Sequence, residues 1–207
     1  ASQGEEKELA LLFLDMRGFT ARTTGQLPYD VVFLLNRFFD AIVPAIDAAG
    51  GSVDKYLGDG FLALFETSDA KTSAQAALKA TQGVATALAK FNAQLEREGQ
   101  APVAIGIGAH LGDVVLGEIG AAGQAPRTLI GDTVNTASRL EGVTKAHAVQ
   151  AFLSKPLLEM AGYSVADVQM IALELRGLSE PLLALPIHEA SNLMDSLATS
   201  TQKDATI

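Results

Sequence analysis

The chain has 207 residues, of which 48% are hydrophobic and 19% are charged, and its formal net charge is -9. That length and apolar content suit one packed globular domain, and the acidic balance disfavours duplex DNA or RNA as a partner, although it is compatible with a small nucleotide whose phosphates are neutralised by cations. The absence of cysteine excludes disulfides, thiolate catalysis and cysteine-ligated metal sites.

The chain begins with polar and acidic residues and then a buried strand followed by a helix. The apolar run LALLFL at 9–14 predicts the strand, which ends at Asp15. Pro28 suits the first turn of the helix, and Gly50 and Gly51 predict its end. Pro44 falls inside the helical pattern, so we expect a kink there. We expect a cytoplasmic protein, because the sequence shows neither a signal peptide nor a membrane-spanning run.

The stretch SVDKYLGDGFLALF at 52–65 predicts a β-hairpin. Two apolar runs flank Asp59 and its neighbouring glycines, and Asp-Gly tolerates the positive φ angles of tight turns. Considered alone, Asp59 is therefore a turn residue.

The second half of the sequence continues with alternating helices and strands. A long helix is predicted over 70–98, and two strands over 102–111 and 114–119 are joined by a turn at Gly112 and Asp113. The loop GAAGQAPR leads to TLIGD and a helix over about 133–145, with Asp132 as its N-cap. A small strand at 149–153, a short helix after Ser154 and strands towards Pro186 follow. Residues 190–207 are polar, and we expect them to be loosely attached.

This order of elements predicts an α+β fold, in which helices pack on a mostly antiparallel sheet. Gly106 and Gly108 form a GxG pattern inside a strand, which disfavours a Rossmann dinucleotide fold. We divide the chain into an N-terminal extension at 1–8, one folded domain at 9–189 and a polar tail at 190–207.

Two aspartates stand where a cation could be held. Asp15 at a strand end and Asp59 at a hairpin tip can lie side by side, and adjacent carboxylates repel unless a cation bridges them. Mg²⁺ is typically held by one or two carboxylates together with substrate phosphates. The loop MRGFT follows Asp15, and Gly18 allows its backbone N–H groups to face an anion. The alternative is that each aspartate only stabilises a turn.

Three further polar residues are candidates for ligand binding. Lys55 lies about 13 Å along the strand from the hairpin aspartate, so the two cannot contact the same end of a ligand. Asn135 and Arg139 are four positions apart on one helix face, where they suit an anion or a developing oxyanion. The alternatives are a solvated lysine and an exposed helix face with Arg139 paired to Glu141 or Glu118.

Four segments together resemble a known family. FLDMRGFT, GGSVDKYLGDGFLALF, IGIGAHLGDVVLGEIG and RTLIGDTVNTASRL occur in the order and spacing of the class III nucleotide cyclase catalytic domain. The resemblance covers about residues 9–185 and is strongest to bacterial adenylate cyclases with a lysine–threonine purine-reading pair. It implies a ferredoxin-like βαββαβ core and a head-to-tail homodimer with shared active sites. The implied reaction converts a nucleoside triphosphate to its 3′,5′-cyclic monophosphate and pyrophosphate, with two divalent metal ions, Mg²⁺ or Mn²⁺.

The resemblance also implies roles for single residues. Asp15 and Asp59 match the two metal-binding aspartates, and the carbonyl group of Met16 matches a backbone metal ligand. Lys55 matches the lysine that reads adenine, where guanylate cyclases usually carry glutamate. Thr128 occupies the second purine-reading position, where many members carry aspartate.

The remaining matched residues concern the phosphates and the ribose. Gly18, Phe19 and Thr20 would cradle the phosphates, Asn135 would orient the ribose, and Arg139 would stabilise charge on the reacting phosphate. In the family, the metal aspartates of one chain work with the lysine, asparagine and arginine of the other. The two ends of the predicted hairpin would therefore serve opposite sites of the dimer.

Two departures from the family pattern bear on specificity. Thr128 in place of aspartate weakens the case for strict ATP selectivity, and the lysine–threonine pair resembles a subgroup that includes bicarbonate-responsive cyclases. Asp113 stands where some mammalian cyclase halves carry arginine, so phosphate charge would rest more on the metals and Arg139.

We predict a homodimeric adenylate cyclase that acts on ATP, is not a nucleic-acid-binding protein, and belongs with a sensor or membrane domain outside this chain. The alternatives are a guanylate cyclase and an inactive cyclase-like domain that binds nucleotide and regulates a partner.

Overall fold

The structure, a computed structural model, describes residues 4–166 and 168–202. Its strands are β1 (Glu5–Arg17), β2 (Ser52–Leu57), β3 (Gly60–Phe65), β4 (Ala104–Glu118), β5 (Arg127–Ile130), β6 (Ala151–Ser154), β7 (Ile171–Leu173) and β8 (Leu182–Ile187). Its helices are α1 (Phe19–Thr23), α2 (Pro28–Ala48), α3 (Ala70–Arg97), α4 (Asp132–Gly142), α5 (Lys155–Met160) and α6 (Leu193–Gln202), and a short 3₁₀ helix at Ala190–Asn192 precedes α6.

The sheet has the topology that the sequence predicts. Its strand order is β2-β3-β1-β4-β6-β8-β7, with β5 paired to β4 alone among the described strands. The β4–β6 pair is parallel, and the other pairs are antiparallel. The neighbouring strands β2, β3, β1 and β4, with α2 and α3 as their connections, form a ferredoxin-like βαββαβ core. The predicted α+β class is confirmed.

Strand alternation divides the apolar residues between the two faces of the sheet. On β1, Leu12 and Leu14 face the main core under α2, α3, α5 and α6, whereas Leu9 and Leu11 face a smaller core next to α4. The helical spacing of Val31, Leu35, Phe38, Ile42 and Ile46 predicts the buried stripe of α2, and the last three of these residues are buried. At the start of the helix Leu34 is buried instead, whereas Val31 and Leu35 are half-buried. Pro44 lies inside α2, and the kink expected there stays a prediction.

The predicted turn at Gly112 and Asp113 is wrong, because β4 runs through it without a break. Gly112 pairs with Leu9 and Asp113 with Glu8, so β1 supplies the partners that keep this segment extended. Gly112 serves close packing instead of a turn, since a Cβ there would lie 2.6 Å from Oγ1 of Thr133 on α4. Residues 115–118, at the C-terminal end of the continuous strand β4, pair with β5.

Both ends of the folded domain extend further than the sequence indicates. The strand β1 begins at Glu5, so the second half of the predicted extension, 5–8, belongs to the sheet. The tail is not loose as far as it is described, because Leu193 and Leu197 of α6 are buried in the main core. The Met194 N–H also donates to Oε1 of Gln82 on α3 at 2.7 Å. Parts of the predicted extension and tail, at 1–3 and 203–207, lie outside the described residues.

Other predicted elements are close to their observed bounds. The β2–β3 hairpin turns at Asp59, and α5 starts after Ser154, whose Oγ accepts a hydrogen bond from the N–H of Leu157. Asp132 is the first residue of α4, so Gly131 is its N-cap and the predicted aspartate cap is wrong. Within 4–166 and 168–202, no helix has both the length and the apolarity to cross a bilayer.

Candidate active site

The two predicted metal-binding aspartates lie together. Asp15 pairs with Gly60 across the β1–β3 ladder, and the Met16 N–H donates to the carbonyl of Asp59 at 3.2 Å. Gly60 permits this close approach, because a Cβ there would lie only 2.1 Å from the carbonyl oxygen of Leu14. Burial raises the pKa of Asp59, and the negative charge of Asp15 raises it further. The hairpin tip is thus folded against β1, and the carboxylate of Asp59 lies close enough to that of Asp15 for electrostatic repulsion between them.

A third carboxylate, which the sequence interpretation missed, completes this acidic cluster. Burial raises the pKa of Glu141 to about 9, assisted by the hydrogen bond to Asp15 and by the charge of Asp15. Glu141 lies in the last turn of α4. Its carboxylate lies directly over Gly106, the strand partner of Asp15, since a Cβ on Gly106 would be only 2.7 Å from Oε1 of Glu141. The strand glycines Gly106 and Gly108 were the available signal, since glycine inside a strand often marks a close approach of other atoms.

One cation lies beside these carboxylates. The charge of Arg17, at the end of β1, opposes the rise in the pKa of Glu141. Its Nη2 donates to the carbonyl of Val149, whereas its Nε is buried without a hydrogen-bond partner. Arg17 therefore offsets part of the negative charge while holding the end of β1 against the chain that leads into β6.

The predicted phosphate loop follows directly. Gly18 has φ +66° and is the N-cap of α1, a conformation that favours glycine. Phe19 packs against the main core, while Gly18 and Thr20 are exposed. The first N–H groups of a helix have no intrahelical acceptor, so this turn presents donors beside the carboxylate pair. The arrangement suits the phosphates of a nucleotide.

The predicted purine-reading residues lie on two other strands. Lys55 is exposed on β2 opposite Leu62, with its Nζ 3.9 Å from Oδ2 of Asp54. Thr128 is half buried on β5, where its hydroxyl donates to the carbonyl of Pro126 at 3.3 Å.

Asn135 and Arg139 lie on α4 but do not face the carboxylate pair. Nη1 of Arg139 donates to the carbonyl of Arg176, so the suggested pairing with Glu141 or Glu118 is wrong. Asn135 is exposed on the earlier part of α4.

The path of α4 explains that position. The helix begins over Gly112 and ends over Gly106, whose strand partner is Asp15. These two glycines are six strand positions apart, about 20 Å. Within one chain, the beginning of α4 therefore lies well away from the carboxylates.

The carboxylate pair fits a hard cation that arrives with a phosphate ligand. Among the described residues, no group of three or more His, Cys, Asp or Glu is arranged to hold a metal ion. Asp15 and Asp59 still lie side by side, because Gly60 lets the hairpin strand approach the backbone of β1 closely. This is the ligand set from which Mg²⁺ binds when substrate phosphates and water supply the remaining oxygens.

Comparison with known proteins identifies the family. The family model described as the adenylate and guanylate cyclase catalytic domain matches residues 2–179, and this chain belongs to that class III cyclase family. An adenylate cyclase of Anabaena cylindrica is 35% identical over 156 residues, which cover 73% of this chain and 30% of that protein. Adenylate cyclase 1 of Rhizobium meliloti is 28% identical over 195 residues, which cover 94% and 29%.

A solved structure of a guanylyl cyclase, Cya2, is similar to the whole domain. It has a TM-score of 0.76 and 29% identity, over 89% of this chain and 93% of that one. The chain spans about 30% of the length of the two curated relatives. The relatives thus include both adenylate and guanylyl cyclases, and they agree on the catalytic domain.

Proposed function

We propose that this domain is an adenylate cyclase that converts ATP to 3′,5′-cyclic AMP and pyrophosphate in a homodimer with two shared active sites. The observation that supports it most directly is the division of the predicted site within one chain. Asp15 and Asp59 lie together beside the predicted phosphate loop, whereas Arg139 donates to the carbonyl of Arg176 and Asn135 is exposed on α4, about 9 Å along the helix axis from Glu141. A second copy would supply the missing half.

Exposed apolar side chains support such a pairing. Tyr56 and Leu57 at the end of β2 are 55% and 46% exposed, and Ile119 and Ile130 beside the β4–β5 loop are 56% and 41% exposed. Tyr56 and Leu57 lie on the strand that carries Lys55, Ile130 lies on the strand that carries Thr128, and Ile119 follows β4. Covering them with a second copy would remove apolar surface from water next to the proposed sites.

The proposed roles follow the chemistry of the residues. The carboxylates of Asp15 and Asp59 and the carbonyl of Met16 would hold two divalent ions, Mg²⁺ or Mn²⁺. When bound, these ions would lower the pKa of the ribose 3′-hydroxyl and offset charge on the triphosphate. The backbone N–H groups at Phe19 and Thr20 would donate to phosphate oxygens.

The partner's half would orient the nucleotide and stabilise the developing charge. Asn135 would fix the ribose so that its 3′-oxygen bonds to the α-phosphorus while the bond to the bridging oxygen breaks and pyrophosphate leaves. Arg139 would donate to the reacting phosphate, a contact typically worth about 3 kcal/mol, after releasing the carbonyl of Arg176. The ammonium group of Lys55 can donate to N1 of adenine, and the hydroxyl of Thr128 can accept from the amino group.

A complementation experiment tests the shared site. Asp59→Ala and Asn135→Ala should each abolish turnover, and their mixture should recover roughly a quarter of parental activity, because half the dimers are mixed and each mixed dimer has one intact site. The matched control mixes Asp59→Ala with Asp15→Ala, which damage the same half, and should recover nothing. No recovery in the first mixture, with both proteins folded and dimeric, would contradict the proposal.

A guanylate cyclase is the second candidate, favoured by the likeness to Cya2 and by the hydroxyl of Thr128. Lys55 argues against it, because N1 of guanine carries a hydrogen and cannot accept from an ammonium group. Initial rates with ATP and with GTP, read as cyclic AMP and cyclic GMP, separate the two. An inactive nucleotide-binding domain would give neither product.

We place the reaction in the cytoplasm, where ATP is available, and in a longer protein with a sensor or membrane domain.

A further inference from the structure

An ion-pair cluster outside the proposed catalytic groups joins three strands at Glu66. Its Oε1 accepts from Nζ of Lys7 on β1 at 2.6 Å. Arg127, the first residue of β5, donates to both of its carboxylate oxygens, each at 3.1 Å. Two parallel hydrogen bonds between guanidinium and carboxylate fix orientation as well as distance. The hydrogen bonds of Arg127 and Lys7 lower the pKa of Glu66 to about 2. Glu66 is therefore ionised at neutral pH and carries the charge that attracts both cations.

The strand β5 needs such support. It has four residues and, among the strands that the structure describes, pairs only with residues 115–118 of β4, and the exposed loop at 119–126 precedes it. Leu129 anchors the middle of β5 in the smaller core, where Leu62 and Leu64 of β3 also lie. The bidentate contact from Arg127 holds the beginning of β5 to Glu66, the residue that follows β3. Both contacts therefore set where β5 lies relative to the hairpin.

The residues next to the cluster are the two proposed purine readers. Thr128 follows Arg127 directly, so the position of the Arg127 backbone sets the position of Thr128. The charge of Asp54 also acts on Arg127, and Asp54 lies 3.9 Å from Nζ of Lys55. The strand β2, which carries Lys55, pairs with β3, which ends just before Glu66. The cluster thus connects the strands of both purine-reading residues.

We propose that Glu66 is a positioning residue for nucleotide selection: through its bidentate contact with Arg127 it fixes the distance between Thr128 and Lys55. This inference rests on the proposed cyclase function and adds to it a determinant outside the family pattern. In this proposal Glu66 acts through Arg127 and not by contact with the nucleotide. Its loss should therefore weaken the preference for adenine over guanine and raise KM for ATP, while the carboxylate pair and Arg139 keep kcat near the parental value.

The test compares Glu66→Gln, Arg127→Gln and the double variant with the parent, by initial rates on ATP and GTP. Each single variant should lower the ATP-to-GTP ratio of kcat/KM about tenfold, mainly through KM, with kcat changed less than about twofold. The double variant should be no worse than the singles, because both break one contact. The matched control is Glu98→Gln, which breaks the Arg37–Glu98 pair of 2.7 Å with a similarly exposed carboxylate elsewhere in the domain.

Binding measurements keep this inference separate from the proposed function. The same variants are titrated with 3′-deoxy-ATP and 3′-deoxy-GTP, which lack the attacking hydroxyl. If the parent has no turnover, the cyclase proposal fails, and the ratio of the two binding constants still decides the role of Glu66. A ratio unchanged from parent to Glu66→Gln, or changed equally in Glu98→Gln, would overturn the inference, as would a parent that binds neither nucleotide.

Discussion

The contact between α4 and β4 gives the sharpest prediction, through Gly108→Ala. A Cβ at Gly108 would lie 2.4 Å from the backbone nitrogen of Glu141 and 2.7 Å from the carbonyl oxygen of Ala137. Ordinary contacts begin near 3.4 Å, so the helix has to move by about 1 Å. Both atoms belong to the backbone of α4 and cannot rotate away. We expect destabilisation at the upper end of the overpacking range, about 3 kcal/mol.

Under the proposed function, this displacement should also reduce catalysis, because α4 carries Asn135 and Arg139. A misplacement of about 1 Å can cost about 100-fold in rate. Urea unfolding measures the free energy of unfolding, and initial rates under conditions where the variant is folded measure kcat. For a domain of this size, 3 kcal/mol corresponds to a fall in Tm of roughly 6–12 °C.

Two glycine variants make the comparison quantitative. Gly142→Ala places its Cβ in open space at the end of the same helix, so we expect unchanged activity and a stability gain of up to about 1 kcal/mol. Gly106→Ala would meet the side-chain ends of Thr144 and Glu141, at 2.5 and 2.7 Å, and these groups can rotate. It should cost less than Gly108→Ala. A Gly108→Ala protein as stable and active as the parent would refute the packing argument.

Three further predictions concern stability and specificity. Burial lowers the pKa of His110 from near 6.5 to about 4, so as the pH falls the unfolded chain binds the proton before the folded chain does. Between pH 7 and pH 5 the free energy of unfolding of the parent should therefore fall by about 2 kcal/mol more than that of His110→Gln, as measured by urea unfolding. Ser73→Ala removes the hydroxyl that accepts from the N–H of Ala10 and donates to the carbonyl of Phe65, and both hydrogen bonds are buried. It should lower the free energy of unfolding by about 2–4 kcal/mol, and a decrease of less than about 0.5 kcal/mol would contradict this account. Under the proposed function, Lys55→Glu should lower kcat/KM for ATP at least about 100-fold and raise the share of cyclic GMP, and an unchanged product ratio would remove Lys55 from purine reading.

Local patterns in the sequence were sufficient for much of the fold. The helix from Pro28 and the hairpin at Asp59 depend on contacts between near neighbours, so periodicity and turn chemistry predict them well. The same reasoning failed at Gly112 and Asp113, which look like a turn but lie in a continuous strand. Whether such a pair bends depends on a distant partner, here β1, and on the close passage of α4.

The candidate site divides in the same way. The sequence alone predicted the residue types of the candidate site, because its motifs carry Asp15, Asp59 and the predicted phosphate loop in fixed order. Only the tertiary structure showed that Glu141 joins the aspartates and that Arg139 faces Arg176. Residues far apart in the chain meet through the packing of helices on a sheet, and that packing depends on space at single glycines and on pairing across several strands.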